Sequence, residues 1–174
     1  PAMLFSIGLV SSFITGGVTG IILADSALDI AVHDTYFVVA HFHVVMGLSA
    51  IFGMFAGVYH WFPKMYGKMM NAKLGMVHFW LTLVSAYGVF FPMHFVGIGG
   101  APRRYYDYSV YEGFDSQQFE MIMDLNVVIS IFAIVGGLAQ IIFLFNFFYS
   151  TFKGQKAVQN PWKGNSLEWT TPVE

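Results

Sequence analysis

Charged residues fall into four short segments of this 174-residue chain, 25–34, 64–73, 103–124 and 153–174, and leave four windows with none: 1–24, 35–63, 74–102 and 125–152. Each window is longer than the roughly 20 apolar residues a helix needs to cross the hydrocarbon core of a bilayer. The pattern predicts an all-α integral membrane fold with four transmembrane helices. The spans are expected near 1–24, 36–62, 74–98 and 120–150, so that residues 1–150 form a transmembrane domain and 151–174 a polar tail along the inner surface. Within the spans, Gly8, Ser12, Gly16 and Gly20 recur every fourth residue, as do Ser49, Gly53 and Gly57. Such small-residue stripes let helices approach closely in lipid, and they call for partner helices to receive them. The first window lacks a basic start and carries Gly and Ser throughout, so it does not read as a signal peptide. There is no internal repeat, low-complexity segment or Gly-rich phosphate loop.

Composition agrees with the pattern. The chain is 56% hydrophobic, 18% aromatic and 10% charged, against about 25% charged for a soluble domain. With no cysteine, disulfides and thiolate metal sites are excluded. The net charge of −2 says little, but its segregation sets an orientation. Lys64, Lys68, Lys73, Lys153, Lys156 and Lys163 lie in the second connection and the tail, which share one side of a four-span protein. By the positive-inside rule that side is cytoplasmic, or the matrix of a mitochondrion. Eight of the ten acidic residues then face outward. Trp61 and Tyr66 at one boundary, and Tyr105, Tyr106, Tyr108 and Tyr111 at the other, fit interfacial aromatic belts. Nothing points to a nucleic-acid partner.

The chemistry concentrates between His33 and His43. His41 and His43 lie in a stretch free of formal charge, where buried imidazoles need partners and neutral imidazole is the commonest metal ligand. Two residues apart on a helix, they project about 200° from each other with a rise of about 3 Å. One ion cannot take both from one face, so the spacing suggests two haems flanking one helix. His60 lies roughly 26 Å further along such a helix, too far to share a cofactor with His43. His78 and His60 are read as ordinary structural histidines. His94, near the outer end of the third span at a depth comparable to His41, is a candidate ligand by position only. Arg103 and Arg104 close the turn-permissive run Gly97–Tyr105 at a span end. They read either as solvated arginines paired with Asp107 or Glu112, or as planar cations for the carboxylates of a large ligand such as haem.

Together these residues resemble the core subunit I of the haem–copper terminal oxidases, specifically the cytochrome c oxidases. The likeness runs through essentially the whole chain. It is carried by Leu28-Asp29-Ile30, His33-Asp34-Thr35-Tyr36, Ala40-His41-Phe42-His43, His60-Trp61-Phe62-Pro63, Phe91-Pro92, His94-Phe95, Pro102-Arg103-Arg104-Tyr105, Asn160-Pro161-Trp162 and Leu167-Glu168-Trp169-Thr170. The resemblance implies that the four spans are helices nine to twelve, the last third of a twelve-helix core. It gives His41 the iron of the high-spin, oxygen-reducing haem and His43 that of the low-spin haem, with Phe42 between them. It gives Arg103 and Arg104 the haem propionates, His33 and Asp34 a magnesium or manganese ion, and Asp29 a place near a propionate of the high-spin haem. The implied cofactors are two haems, expected to be haem A, with copper held by the rest of the subunit and Mg or Mn. The implied partners are helices one to eight of subunit I, a copper-containing subunit II, subunit III, cytochrome c and the lipid of a respiratory inner membrane, bacterial cytoplasmic or mitochondrial. The family's other low-spin haem ligand, copper-binding histidines, cross-linked tyrosine and proton-uptake channels come from earlier helices. The chain, which begins at Pro1, is therefore expected to be a C-terminal piece of the core, unable to work or fold stably alone.

The expected function is part of the catalytic core of a proton-pumping oxidase that reduces oxygen to water. A quinol-oxidising relative would share the histidine pair and the arginines, and the His33-Asp34 pair argues for cytochrome c as donor. A dihaem cytochrome b, with ligands about a dozen residues apart, does not match the 41/43 spacing. A structural four-helix membrane protein would explain the hydropathy and the lysines but not the histidine pair.

Overall fold

The computed structural model describes residues 1–107 and 111–171. Four of its helices are long and apolar enough to cross a membrane: Ala2–Ala24, Tyr36–Tyr66, Ala72–Ile98 and Ser116–Lys153. In chain order the elements are α1 (Ala2–Ala24), a short α2 (Ser26–Val32) in the first connection, then the second span, which is α3 (Tyr36–Phe42), a π-helical segment (His43–Leu48) and α4 (Ser49–Tyr66). The third and fourth spans are α5 (Ala72–Ile98) and α6 (Ser116–Lys153), and a 3₁₀ turn, Leu167–Trp169, ends the described chain. There is no strand among the described residues, only isolated bridges joining Thr35 to Pro102 and Lys68 to Lys156.

Polar residues at the span ends set where helices begin and stop. Asp25 caps α2 by accepting from Ala27 and Leu28 N–H, Asn71 caps α5 through Lys73 and Leu74 N–H, and Asp115 caps α6 through Gln118 N–H. Each satisfies amides that have no partner within the helix. Gly67, at φ 63°, ends α4 in the left-handed conformation that glycine adopts without a Cβ clash. At the opposite end of α6, the Lys68 ammonium donates to the carbonyls of Thr151 and Phe152 at 2.7 and 2.9 Å, so a cation meets the negative end of the helix.

The small-residue stripe of α1 faces the second span. A Cβ on Gly8 would meet the Phe52 ring at 3.0 Å, one on Gly20 would meet His41 Cε1 at 3.0 Å, and Gly16 lies directly against Val45. Gly53 receives Leu9 in return. Partner helices for these stripes are thus present within the chain: at Gly8, Gly16, Gly20 and Gly53, α1 and the second span fill each other's grooves. What is left unfilled lies elsewhere. Only 6% of the apolar window of α6 is buried within the chain, so most of that helix faces lipid or other helices. The inner core gathers Phe5, Phe52, Phe55, Tyr59 and Phe79 from α1, α4 and α5. Polar links join the spans beside it: Tyr59 hydroxyl to His78 Nδ1 at 3.2 Å, His78 Nε2 to Gln140 Oε1 at 3.2 Å, and Gln140 Nε2 to the Thr82 hydroxyl at 3.2 Å. In hydrocarbon such groups bond across helices because water is absent.

A second cluster at the other end packs Val96, Ala101, Tyr111 and Ile122. Tyr111 is only 3% exposed, so it is a core residue of this cap and not part of an interfacial belt; Tyr106 is 93% exposed. Tyr108, assigned to the same belt, lies outside the described residues. The tail, read as polar, buries Trp169 to 3% exposure. Its ring meets His60 edge-on at 5.5 Å, and Trp162 stacks on the same imidazole at 5.9 Å while donating to the His60 carbonyl at 2.9 Å.

The tightest approach between spans is at Gly97, where an added Cβ would lie 2.6 Å from Phe37 Cα. Gly97→Ala should push α5 away from the start of the second span and destabilise the protein by about 1–3 kcal/mol, the usual cost of overpacking. Gly17→Ala, with nothing within 4 Å of its Cβ, should leave stability unchanged. Thermal unfolding of the purified membrane protein followed for both variants checks this, and equal midpoints would refute the contact.

Candidate functional site

The second span carries two imidazoles that lean on different neighbours. His41 reaches α1: its Nδ1 lies 3.0 Å from the Gly16 carbonyl and 2.9 Å from the Thr19 hydroxyl, which itself donates to Gly16 O at 2.8 Å. His43 reaches α5, its ring stacked on Phe90 at 5.1 Å with an interplanar angle of 17°, and its Nδ1 lies 2.8 Å from the Val39 carbonyl one turn back. A carbonyl can only accept, so in both residues Nδ1 carries the proton and donates it. Neutral imidazole then presents its lone pair at Nε2, the tautomer a metal requires.

His43 itself sits at a change of helix type. From His43 to Leu48 the backbone is π-helical, a form found as short insertions and often at functional sites. The Val39 carbonyl accepts from both the backbone N–H and the side chain of His43. Sequence periodicity gave no sign of this segment. It also gave no sign of Thr19, Gly16 and Phe90 as the groups that orient the two rings. Phe42, 37% exposed, places its ring 4.5 Å from that of His43.

The residues present fit axial ligation of haem. Each imidazole is held by a second bond from its other nitrogen to a backbone carbonyl, the arrangement that fixes metal-ligating histidines. At the end of the spans where α2 lies, Arg103 pairs with the Asp34 carboxylate, yet its Nε is buried without a partner. A buried guanidinium nitrogen left unmatched is costly, and a further carboxylate would satisfy it. Arg104 is exposed and adopts φ 65° beside it. The partner of Arg103 is therefore Asp34, far away in sequence, in place of the nearby Asp107 or Glu112. Backbone bonds lock this contact: Arg103 N donates to Asp34 O at 3.0 Å and Tyr36 N to Ala101 O at 3.0 Å.

His33 and Asp34 lie together at the same rim and are both exposed. His33 Nδ1 sits 3.1 Å from Asp29 Oδ2, and His33 Nε2 sits 3.9 Å from Asp34 Oδ2. Two ligand atoms each about 2.1 Å from an ion, the distance of Mg²⁺ to its oxygens, lie roughly 3–4 Å apart depending on the angle between them. Adjacent ligands of an octahedral Mg²⁺ lie about 3 Å apart, so a shared ion would draw the pair slightly closer, with Asp29 orienting the imidazole from behind. Among the described residues no group of three or more His, Cys, Asp or Glu converges on a point that could hold a metal. The remaining ligands would have to be water or another chain. Two of the other histidines are otherwise engaged: His78 between Tyr59 and Gln140, His60 between two tryptophans. His94 gives Nδ1 to the Phe90 carbonyl at 2.7 Å and meets Phe37 edge-on at 5.0 Å, and its Nε2 is buried without a partner.

Comparison with known proteins gives these positions a context. Residues 1–135 match the family described as Cytochrome C and Quinol oxidase polypeptide I. The chain is 43% identical over 170 residues to the alternative cytochrome c oxidase subunit 1 of Bradyrhizobium diazoefficiens, covering 98% of this chain and 28% of that protein. It is 47% identical over 170 residues to cytochrome c oxidase subunit 1 of Thermostichus vulcanus, and 48% identical to that of Synechocystis sp., in each case over 98% of this chain and 29% of the relative. The chain therefore spans less than a third of the length of these relatives. Its fold matches a chain of a heme-copper terminal oxidase dimer with a TM-score of 0.74 at 20% identity, over 90% of this chain and 27% of that one. With four apolar spans and relatives of this kind, it is a multi-pass membrane protein. A profile that covers most of its length shows that the chain belongs to the cytochrome c and quinol oxidase polypeptide I family.

Proposed function

We propose that this chain forms part of the catalytic core of a proton-pumping cytochrome c oxidase that reduces oxygen to water. The observation that carries the reading is the pair His41 and His43, each donating Nδ1–H to a carbonyl and leaning on a different helix. His41 would hold the iron of the high-spin haem and His43 that of the low-spin haem. When bound, the haems, expected to be haem A, and a copper held by other helices supply the electron transfer and the oxygen chemistry. This chain's part is to orient and to balance charge. Gly16 and Thr19 fix the ring of His41, while Val39 and Phe90 fix that of His43, and Phe42 limits its rotation. Arg103 and Arg104 would neutralise propionates at the outer rim, with Asp29 nearby on α2. His33 and Asp34 would offer one nitrogen and one oxygen to Mg²⁺ or Mn²⁺.

The same reading makes residues 1–150 the transmembrane domain and puts the tail from residue 151 at the inner surface of a respiratory membrane, on the lysine-rich side. Its partners would be helices one to eight of subunit I, subunits II and III, and cytochrome c. A quinol donor is the second reading, favoured by the family's description, which includes quinol oxidases. Against it stand the names of the three relatives above and the His33-Asp34 pair. Reduction of the purified assembly by cytochrome c or by a quinol distinguishes the donors, and its optical spectrum identifies the haem type.

In the assembled oxidase, His41→Ala should remove the high-spin haem signal and His43→Ala the low-spin signal, each leaving the other spectrum present. Loss of both in either variant, or of neither, would sink the one-ligand-per-haem assignment. Arg103→Gln and Arg104→Gln should lower haem midpoint potentials, since reduction adds negative charge that a nearby cation stabilises. At an effective dielectric of about 20 the change is on the order of 1–2 kcal/mol, or tens of millivolts. Redox titrations with unchanged potentials in both variants would favour solvated arginines. Asp34→Asn should alter the magnetic-resonance spectrum of Mn²⁺ bound to the assembly, and an identical spectrum would remove Asp34 from the ion's ligands.

A further inference from the structure

We propose that the lysine-rich end of the chain carries a binding site for the phosphate of an anionic phospholipid, in a cleft between the start of α5 and the end of α6. The inference depends only on the membrane-spanning fold and is independent of the haem assignment. The cleft has a volume of about 630 Å³ and is lined by Asn71, Lys73, Tyr149, Ser150, Lys153 and Gln155 among others, a size common to ligand pockets.

Its floor and rim differ in kind. The floor is tied together by hydrogen bonds: Asn146 Oδ1 accepts from Asn71 N at 3.1 Å and from the Ser150 hydroxyl at 3.1 Å, and Asn146 Nδ2 donates to the Asn71 carbonyl at 3.0 Å. Asn146 and Ser150 are 0% and 1% exposed, so this base is fixed. At the rim, Lys73 and Lys153 are exposed, and among the described residues neither ammonium has a hydrogen bond or an ion pair. Their neighbours are committed: Lys64 donates to Thr171, and Lys68 to the carbonyls that end α6. The described lining contains no carboxylate. Two free cations over a fixed neutral base therefore wait for an anion.

The surroundings select a lipid as its source. On α5, Val77, Trp80 and Val84 share the helical face of Lys73, and on α6, Leu138 and Phe145 share that of Tyr149, at the spacing of successive turns. These five are between 47% and 59% exposed. The Tyr149 ring stacks on Phe145 at 5.7 Å with an interplanar angle of 21°. An apolar wall thus descends from a cationic cleft, a combination that suits acyl chains below a phosphate. Basic pockets between spans on the positive side of a membrane protein recognise anionic headgroups in this way.

The test titrates the protein in its native assembly, delipidated in neutral detergent, with dioleoylphosphatidylglycerol, dioleoylphosphatidylcholine or inorganic phosphate, and counts bound lipid by native mass spectrometry. The anionic lipid should bind more tightly than the zwitterionic one, with an affinity that falls as salt rises. Lys73→Gln and Lys153→Gln should each weaken it about fivefold and the double variant roughly 30-fold, matching about 1 kcal/mol per lysine at a membrane surface. Lys73→Arg with Lys153→Arg should retain it. Equal affinity for the two lipids, salt-independent binding or unchanged affinity in both single Gln variants would overturn the proposal. Inorganic phosphate binding as tightly as the anionic lipid would also overturn it, since the site would then be one for free anions. The two single Gln variants, each of which removes one surface charge, decide the matter even if the double variant fails to assemble.

Discussion

A polar group placed in hydrocarbon must find its partner within the protein, and most of what this chain does chemically follows from that constraint. His41 lies within an apolar span, so its Nδ1–H is delivered to the Gly16 carbonyl across the groove that the α1 glycines open. Without Gly16 and Gly20 the second span could not come close enough for this bond. Close helix packing, usually a matter of stability alone, here decides which nitrogen keeps its proton. The tautomer of His41 is a consequence of the small-residue stripe.

His43 solves the same problem differently. It takes the carbonyl of its own helix, Val39, which already accepts the backbone N–H of residue 43. Doubling the demand on one acceptor coincides with the point where the ladder widens into a π-helical segment. Gly47, whose Cβ position is 3.7 Å from His43 Cδ2, leaves space beside the ring within that segment. Two ligand-type histidines on one span thus depend on two different supports, one from a neighbouring helix and one from their own. Damage to α1 packing should reach His41 and spare His43.

How far the sequence could be read follows the range of each interaction. The four helices come from charge-free windows, a local property. The paired histidines stand out because two imidazoles inside an apolar stretch are costly without a purpose. The support of those rings was not legible, since Thr19 and Phe90 are separated from them by 22 and 47 residues and belong to unremarkable stretches of two other spans. Likewise the protein acids that sequence proximity offers Arg103 are Asp107 and Glu112, whereas folding brings it to Asp34. The tail's contacts are equally long-range: Trp162 and Trp169 find His60 across more than a hundred residues. Patterning reports which environment a segment prefers; it does not report which helices become neighbours.

The rim that joins α2 to the end of α5 shows the cost of making such a long-range contact hold. Asp34 and Arg104 both adopt left-handed backbone, at φ 58° and 65°, a conformation that costs residues other than glycine on the order of 1 kcal/mol or more each. Surrounding bonds over-determine it: the Thr35–Pro102 bridge, Arg103 N to Asp34 O, Tyr36 N to Ala101 O, and the ion pair between the two side chains. The effect is that the connection after α2 and the one after α5 behave as a single piece. His33, Asp34, Arg103 and Arg104 come from two loops, yet they are held in register with the same span that carries His41 and His43. A loop ion pair in open solvent would contribute little. Braced by main-chain bonds, and with Arg103 only 24% exposed, it fixes where the cations stand, and that fixed position is what a charged group at this rim would recognise.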